Sequence, residues 1–466
     1  MTTQTSQDIA IIGMACVFPG AQDVSTYWDN ILAKVNSVTD PPDDWEGLAH
    51  YDPSSTENDR IYCKAGGWLN NLLFSPTEFG VMPFGIDGAD PDHFLGLAIS
   101  QSALQDAGLA NANFDRTRAE VIVGRGTYIN RAYTNQLQHC LIIDQTLRLL
   151  KELHPEHTDQ DIQTLKRAMK EGLAPFSTDT APGVVPNVMT GRIANRLDFM
   201  GPNYTVDAAC ASSLIALDLA IQDLRSGKCD LALVGGANVA TAAPTFMLFC
   251  QLNALSRRGE IRPFDRDADG TLLGEGYGMV VLKRCEDAVR NGDTPYALVK
   301  SVGISSDGRA QSVLSPRIEG EELAIARAYK AANISADSVG LIEAHGTGTA
   351  VGDAVEVQAL SRVFGPKRRA PSCALGTVKS MIGHLIPAAG IAGLIKAALA
   401  LHYKVLPPTL HCDHPNPNFG WNQTPFYINS EARPWIHGAQ TPRRAGVNAF
   451  GFGGINAHAV LEECKW

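Results

Sequence analysis

The feature that most constrains this fold is a short, nearly continuous apolar run that recurs along the chain. It appears as Asp8-IAIIGMA, AEVIVGRG (119–126), DLALVGGANV (230–239), GMVVLKR (278–284), YALVKSVGIS (296–305) and VGLIEAHG (339–346). Runs of this length without polar alternation are strands covered on both faces. Between them lie stretches of helical period: LGLAISQSALQDAG (95–108), SLIALDLAIQDLRSG (213–227), EELAIARAYKAAN (321–333) and AGLIKAALALHY (392–403). Apolar strands alternating with helices predict an α/β fold. Glycine and proline are spread along all 466 residues with no Ser/Gly or Pro/Ala linker and no short repeat, so the chain reads as one large unit. A hydrophobic fraction of 45% supplies the core such a unit needs, and 19% charged residues leaves room for surface buried in an oligomer.

Charge removes several function classes. Lys+Arg 39 against Asp+Glu 49 gives a net charge of −10, a poor match for nucleic acid or an anionic membrane. The basic clusters are Lys367-Arg368-Arg369, Arg257-Arg258 and Arg443-Arg444, read first as solvated surface. MTTQTSQ lacks the basic and apolar regions of a signal peptide. The uncharged stretch Leu231 to Cys250 carries Gly235, Gly236, Asn238 and Pro244, which suit strand, turn and helix start better than a membrane span. Ten cysteines without CxxC pairing predict reduced thiols in a cytoplasm, and the sequons at Asn203, Asn333 and Asn422 are then chance matches.

One segment departs from the alternation. IIDQTLRLLKEL (142–153) has helical period and stops at His154-Pro155, and Thr158 is placed to cap DQDIQTLKRAMKEGL (159–173). This predicts a helical insertion over about 140–175, lying on the main fold.

Three loops carry chemistry. In Tyr204-Thr-Val-Asp-Ala-Ala-Cys210-Ala-Ser-Ser-Leu214, a cysteine sits between a short strand and an apolar helix. A helix N-terminus favours a thiolate and lowers its pKa. An inert core cysteine would fit the same residues. Glu343-Ala-His345-Gly-Thr-Gly-Thr349 and Gly383-His384-Leu-Ile-Pro-Ala-Ala-Gly390 each place a histidine in a glycine-bearing loop after an apolar strand. A lone histidine there is more often structural; two of them with the cysteine suit nucleophilic acyl chemistry. Gly446-Val-Asn-Ala-Phe-Gly451-Phe452-Gly-Gly454 adds glycines that permit the close backbone approach of an oxyanion hole. His411-Cys-Asp-His414 could suggest a metal, but PPTLHCDHPNPNF reads as a structural loop, so no metal site is predicted.

Taken in order, DAACASSL, GEGYG, EAHGTGT, GD with Glu356, TVKSMIGH and NAFGFGGINAH resemble the β-ketoacyl synthases of the thiolase superfamily, from Ile9 to about Glu462. The resemblance implies a five-layer αβαβα fold of two pseudo-equivalent halves, here drawn as 1–260 with the nucleophile and 261–466 with the histidines, normally a homodimer. It implies that Cys210 accepts an acyl group from an acyl carrier protein or coenzyme A. His345 and His384 would bind the malonyl thioester carbonyl during decarboxylation, and the N–H groups of Cys210 and Phe452 would hold the second oxyanion. Lys379 and Glu356 become supporting residues, the lysine paired with a glutamate. Phe452 becomes a gate for the acyl chain, and Thr347, Thr349 and Phe450 join it in binding substrate. No metal or organic cofactor is implied.

Several residues depart from the common pattern: Ala208 and Ala211 around the nucleophile, GHLIPAAG, Asn448-Ala449, and Leu273-Gly274 before GEG. With NDRIYCKAGG (58–67) and the insertion, they resemble the iterative type I synthases of polyketides, polyunsaturated fatty acids and heterocyst glycolipids. No acyltransferase GHSxG block or carrier-protein DSL serine accompanies the core, so an excised domain of a larger synthase is expected ahead of a discrete protein. Two alternatives stand beside this: a thiolase-type acyl-CoA condensing enzyme, which needs a late catalytic cysteine where only Cys412 and Cys464 are found, and a non-elongating scaffold or decarboxylase, which would have lost Cys210. Arg443-Arg444 is the candidate docking point for an acidic carrier protein.

Overall fold

The computed structural model describes residues 8–70, 74–82, 86, 89–127, 131–178, 180–366, 370–438 and 440–465. Lys367-Arg368-Arg369 and MTTQTSQ lie outside them. The described strands are, in chain order, β1 (Ile9–Val17), β2 (Ala119–Arg125), β3 (Asn203–Val206), β4 (Leu231–Asn238), β5 (Gly276–Arg284), β6 (Ala297–Ser306), β7 (Leu341–Glu343), β8 (Cys373–Gly376), β9 (Val405–Leu406), β10 (Phe426–Ile428), β11 (Arg433–Pro434), β12 (Arg444–Gly451) and β13 (Ile455–Glu462).

Pairing reveals the internal repeat that no short sequence period shows. From the centre outward the first half runs β1-β5-β4-β2-β3, and the second runs β6-β13-β12-β7-β8 with β10 added at its edge. In both halves the first two pairings are antiparallel and the next two parallel. Strands β1 and β6 join the halves through a short antiparallel register, Ile9–Ile11 against Val299–Ala297.

Alternation within each strand then sorts side chains into layers. Ile122 of β2 and Val280 of β5 enter a central core with Leu214, Leu217 and Ile221, and from the other half Ile391, Leu394 and Val447. Val121 and Val281, their neighbours in sequence, face Phe94, Ile99 and Ile193 on the outer helices Asp92–Asp106 and Pro186–Leu197. On the far side, Ile342 and Val460 face Ile325 and Leu360 on Ile318–Ala332 and Ala350–Phe364. The result is five layers, helix–sheet–helix–sheet–helix, with Ser212–Arg225 and Ala389–Tyr403 in the middle. The segment Ile386–Tyr403 is long and apolar enough to cross a membrane, but 89% of it is buried in this central layer.

Some boundaries move. β5 pairs with β4 and β1, so the first half extends to Arg284 and the halves meet between Arg284 and Ala297 instead of at 260/261. The insertion begins earlier than its sequence pattern: Arg131–Leu137 leads through a wide helical turn, Gln138–Ile142, into Ile143–Leu153 and then Asp159–Glu171. Thr158 caps the last helix in a reciprocal box with Asp161, as its position predicts.

Candidate active site

The nucleophile loop is shaped by its backbone. β3 stops at Val206, four residues earlier than a strand running to Cys210 would, and Cys210 sits in the tight turn Ala209–Ala211 that opens Ser212–Arg225. Ala209 holds a φ of 49°, a left-handed conformation an alanine rarely adopts. Asp207 accepts from the Ala209 N–H at 3.0 Å and the Ser212 hydroxyl accepts from Ala208 N–H at 2.8 Å, so side chains on both flanks hold the turn. β12 ends against it. A β-carbon at Gly451 would stand 2.8 Å from the Ala208 carbonyl and 3.2 Å from the Cys210 nitrogen, so only glycine lets the Phe452 N–H reach the sulfur. The N–H groups of Cys210 and Phe452 both lie near enough to Sγ to favour its thiolate.

The two histidines come from the other half. His384 follows Lys379–Ile382, and its Nε2 lies 3.2 Å from Cys210 Sγ. Its Nδ1 accepts the Ile386 N–H at 3.3 Å, which puts the ring proton on Nε2, pointing at sulfur. His345 is arranged the same way: the Phe450 N–H donates to its Nδ1 at 3.4 Å, leaving Nε2–H as a donor. The two rings stand edge to face with centroids 5.3 Å apart. Burial and the nearby Lys379 ammonium hold both imidazoles well below the usual histidine range, so both are neutral donors.

Glu356 works on the histidine loop. Its carboxylate accepts the His345 N–H at 2.7 Å and the Gly346 N–H at 2.8 Å, and the Asn448 amide at 2.7 Å. Asp353, one helical turn away, accepts the Gly348 N–H at 3.1 Å and the Phe264 N–H at 2.7 Å. Asn448 is one of the departures from the common pattern, and it is fully used: its amide oxygen meets His458, which reaches the Tyr329 hydroxyl. The expected lysine–glutamate pair takes a different form. The direct ion pair of this floor is Lys396–Glu343 at 2.6 Å; Lys379 feels Glu343, Glu356 and the Cys210 sulfur without an ion pair of its own among the described residues.

Cys210 does not have the lowered thiol its helix terminus predicts. The thiol is pushed up to about 11, because burial outweighs the Lys379 charge and the two nearby backbone N–H groups. The residue is 4% exposed. The basic docking point fares likewise: Arg443 pairs with Glu463 and Arg444 with Glu462, both at 2.7 Å, tying the end of the chain to its sheet. Arg257 lies 3.9 Å over the Tyr62 ring. Among the described residues His411 and His414 form no metal cluster; the one such grouping, Asp90, Asp92 and His93, has both carboxylates paired to Arg125.

A cavity of about 420 Å³ opens over Cys210, His345 and His384. Thr347 and Thr349 line it with their hydroxyls 3.0 Å apart. Phe450 packs on the His345 ring at 5.6 Å, and Phe452 stacks on Phe249 at 5.8 Å. Phe249, Leu252, Leu314 and Glu321 also line the space. Sequence reasoning missed these four, since each sits on an ordinary helix or loop with no motif around it.

Comparison with known proteins settles what this assembly is. Models of the β-ketoacyl synthase N-terminal domain, C-terminal domain and C-terminal extension match residues 6–288, 296–413 and 415–465. The chain belongs to the β-ketoacyl synthase family. It is 37% identical over 98% of its length to a polyunsaturated fatty acid synthase polypeptide of Thraustochytrium sp., and 35% identical over 98% to polyketide synthase PksN of Bacillus subtilis. It spans only 16% and 8% of those two proteins. The ketosynthase from module 6 of the bacillaene synthase of Bacillus subtilis superposes with a TM-score of 0.82 at 32% identity, covering 98% of this chain and 72% of that one. An oxazolomycin ketosynthase domain from Streptomyces albus gives 0.83 at 30% identity, covering 98% and 74%. The fold is thus that of a ketosynthase, an acyl-transferring condensing domain.

Proposed function

We propose that this domain elongates an acyl chain by decarboxylative Claisen condensation, with Cys210 as the acyl carrier and His345 and His384 as the enolate site. The observation that carries this is the pair of neutral imidazoles, each with Nδ1 occupied by a backbone N–H and Nε2–H free to donate beside one buried sulfur. In the first step the Cys210 sulfur attacks an incoming thioester. The tetrahedral oxyanion forms between the Cys210 and Phe452 N–H groups, the carrier thiol leaves with the proton, and an S-acyl cysteine remains. In the second, a malonyl thioester loses CO2; the C–C electron pair becomes an enolate whose oxygen accepts both Nε2–H donors. Its carbon attacks the acyl carbonyl, the C–S bond breaks, and Cys210 is released to take up a proton. Departure of CO2 drives the step, so no metal or organic cofactor is called for.

Other parts of the reading rest on separate support. The great length of the relatives supports adjoining domains, and an acyl carrier protein is the donor we assign to the first step. β3 is a sheet-edge strand with four half-buried residues and, among the described residues, β2 as its one partner, which supports a homodimer built across that edge. Ten free cysteines, Cys140 exposed among them, support a reducing cytoplasm. The deciding experiment is intact-protein mass spectrometry after incubation with a panel of acyl thioesters. One acyl mass on the wild type and none on Cys210→Ala is expected; a folded wild type that takes no acyl group from any donor would leave the scaffold alternative.

A further inference from the structure

One wall of the cavity supplies no reacting group to the condensation. It is formed by Asp307, Glu321 and Asn456, with Glu356 beside them, and each of the four is 5% exposed or less. Three have evident employment. Asn456 donates to Asp307 Oδ1 at 2.7 Å, and Glu356 holds the His345 loop. Gly320 leaves the space Asp307 fills, since a β-carbon there would stand 1.9 Å from Asp307 Oδ1. Glu321 is the exception: it lies in the first turns of Ile318–Ala332, 2% exposed, and its Oε2 is buried with no hydrogen-bond partner among the described residues.

A buried polar atom left unmet at the edge of a ligand cavity marks where a ligand atom belongs. Its surroundings say which kind. Burial, with Glu356, Asp307 and Asp353 nearby, pushes the Glu321 carboxyl well above the carboxylate range, so it keeps a proton to donate. The same acidic wall repels an anion, which excludes the malonyl carboxylate as its partner. The Thr347 and Thr349 hydroxyls, 3.0 Å apart on the same cavity, offer the polar groups of a thioester arm partners of their own. What remains is a neutral acceptor on the variable part of the substrate.

We propose that Glu321 is a specificity-determining residue, its carboxyl meeting a hydroxyl or keto oxygen on the acyl chain, so that this cavity favours oxygenated acyl thioesters over fully reduced ones of equal length. This rests on the condensing reading of the site and adds the substrate class to it. The test is the rate of Cys210 acylation, read by intact mass, from N-acetylcysteamine thioesters of matched 3-hydroxyacyl and saturated acyl chains of four to ten carbons. The wild type is expected to favour the oxygenated partner by roughly tenfold or more, because a site built to bond an oxygen discriminates against the analogue lacking it. Glu321→Leu should collapse that ratio toward one, and Glu321→Gln, which keeps a donor, should retain most of it. Equal rates in the wild type, or an undiminished ratio in Glu321→Leu, would overturn the proposal while leaving the condensing function standing. Acylation by neither donor would remove both.

Discussion

β2 and β7 occupy equivalent places in the two halves, and what leaves each strand is different. β2 ends on Arg125, whose guanidinium is clamped by Asp90 at 2.8 Å and Asp92 at 2.5 Å, all three buried. Thr127 then bonds Asp207 through both its N–H and its hydroxyl, and Asp207 holds the nucleophile turn. β7 ends on Glu343, clamped by Lys396 and by the Val378 N–H, and the next loop carries His345 into the cavity. Both exits have a charged clamp beneath them. In the first half the clamp supports a neighbouring loop; in the second it supports a loop that itself lines the cavity. The repeat is therefore one of backbone. What differs is loop content: the long crossover 126–202 carries the insertion, and the short crossover 344–372 lines the cavity with His345, Thr347 and Thr349.

A paired substitution tests that division, and it carries the largest effects. Arg125→Met leaves two buried carboxylates without their cation and should cost about 3–5 kcal/mol of stability, with acyl transfer per folded molecule little changed. His345→Ala removes one enolate donor and should lower condensation roughly 10²–10³-fold, with a Tm nearer the wild type than that of Arg125→Met. Calorimetry and single-turnover assays on both variants give the comparison. If Arg125→Met lost activity at full stability, the two exits would be chemically equivalent after all.

The next effect concerns the sulfur that both halves share. With its thiol pushed up to about 11, Cys210 is almost wholly protonated at neutral pH in the free domain. The thiolate is the nucleophile, so iodoacetamide alkylation of Cys210 should rise roughly a hundredfold from pH 7 to pH 9, tenfold per unit. A plateau below pH 8 would show that the helix terminus and Lys379 outweigh burial.

That sulfur also shows where sequence reasoning stops. That Cys210, His345 and His384 share one cavity was legible because each lies in a loop at a strand end with glycines or a helix start beside it. The helix behind Cys210 was legible too, and with it a lowering influence on the thiol. The depth of burial that reverses the influence depends on residues far apart in the chain, among them Trp45, Trp68, Phe246 and Ile386, and leaves no local mark. Glu356 lines the cavity, but its partners are backbone N–H groups of the His345 loop, which opposite charge in the sequence does not reveal. The ion pair fell to Lys396, a residue inside an apolar helix that reads as core. Arg443 and Arg444 looked like free charge because Glu462 and Glu463, their partners, are reached only through the β12–β13 pairing. The half-way boundary failed for the same reason: β5 closes the first sheet by pairing with β1, a contact between residues far apart in the chain.

The smallest effect belongs to the insertion, the part of the first half with no counterpart in the second. Asp159–Glu171 buries none of its residues, so tertiary packing contributes little to holding it and its cap matters more than usual. Thr158 Oγ1 accepts the Asp161 N–H at 3.2 Å while Asp161 accepts the Thr158 N–H at 2.8 Å. Thr158→Ala removes half of this exchange, worth about 1 kcal/mol. Amide exchange over 159–171 should then quicken about fivefold, the factor that energy sets on a local opening. Cys210 acylation should stay at its wild-type rate, because the cap lies on the exposed crossover and outside the cavity lining. A change in acylation would mean that the crossover of the first half reaches the substrate as the second half's does, and the division of labour between the halves would have to be redrawn.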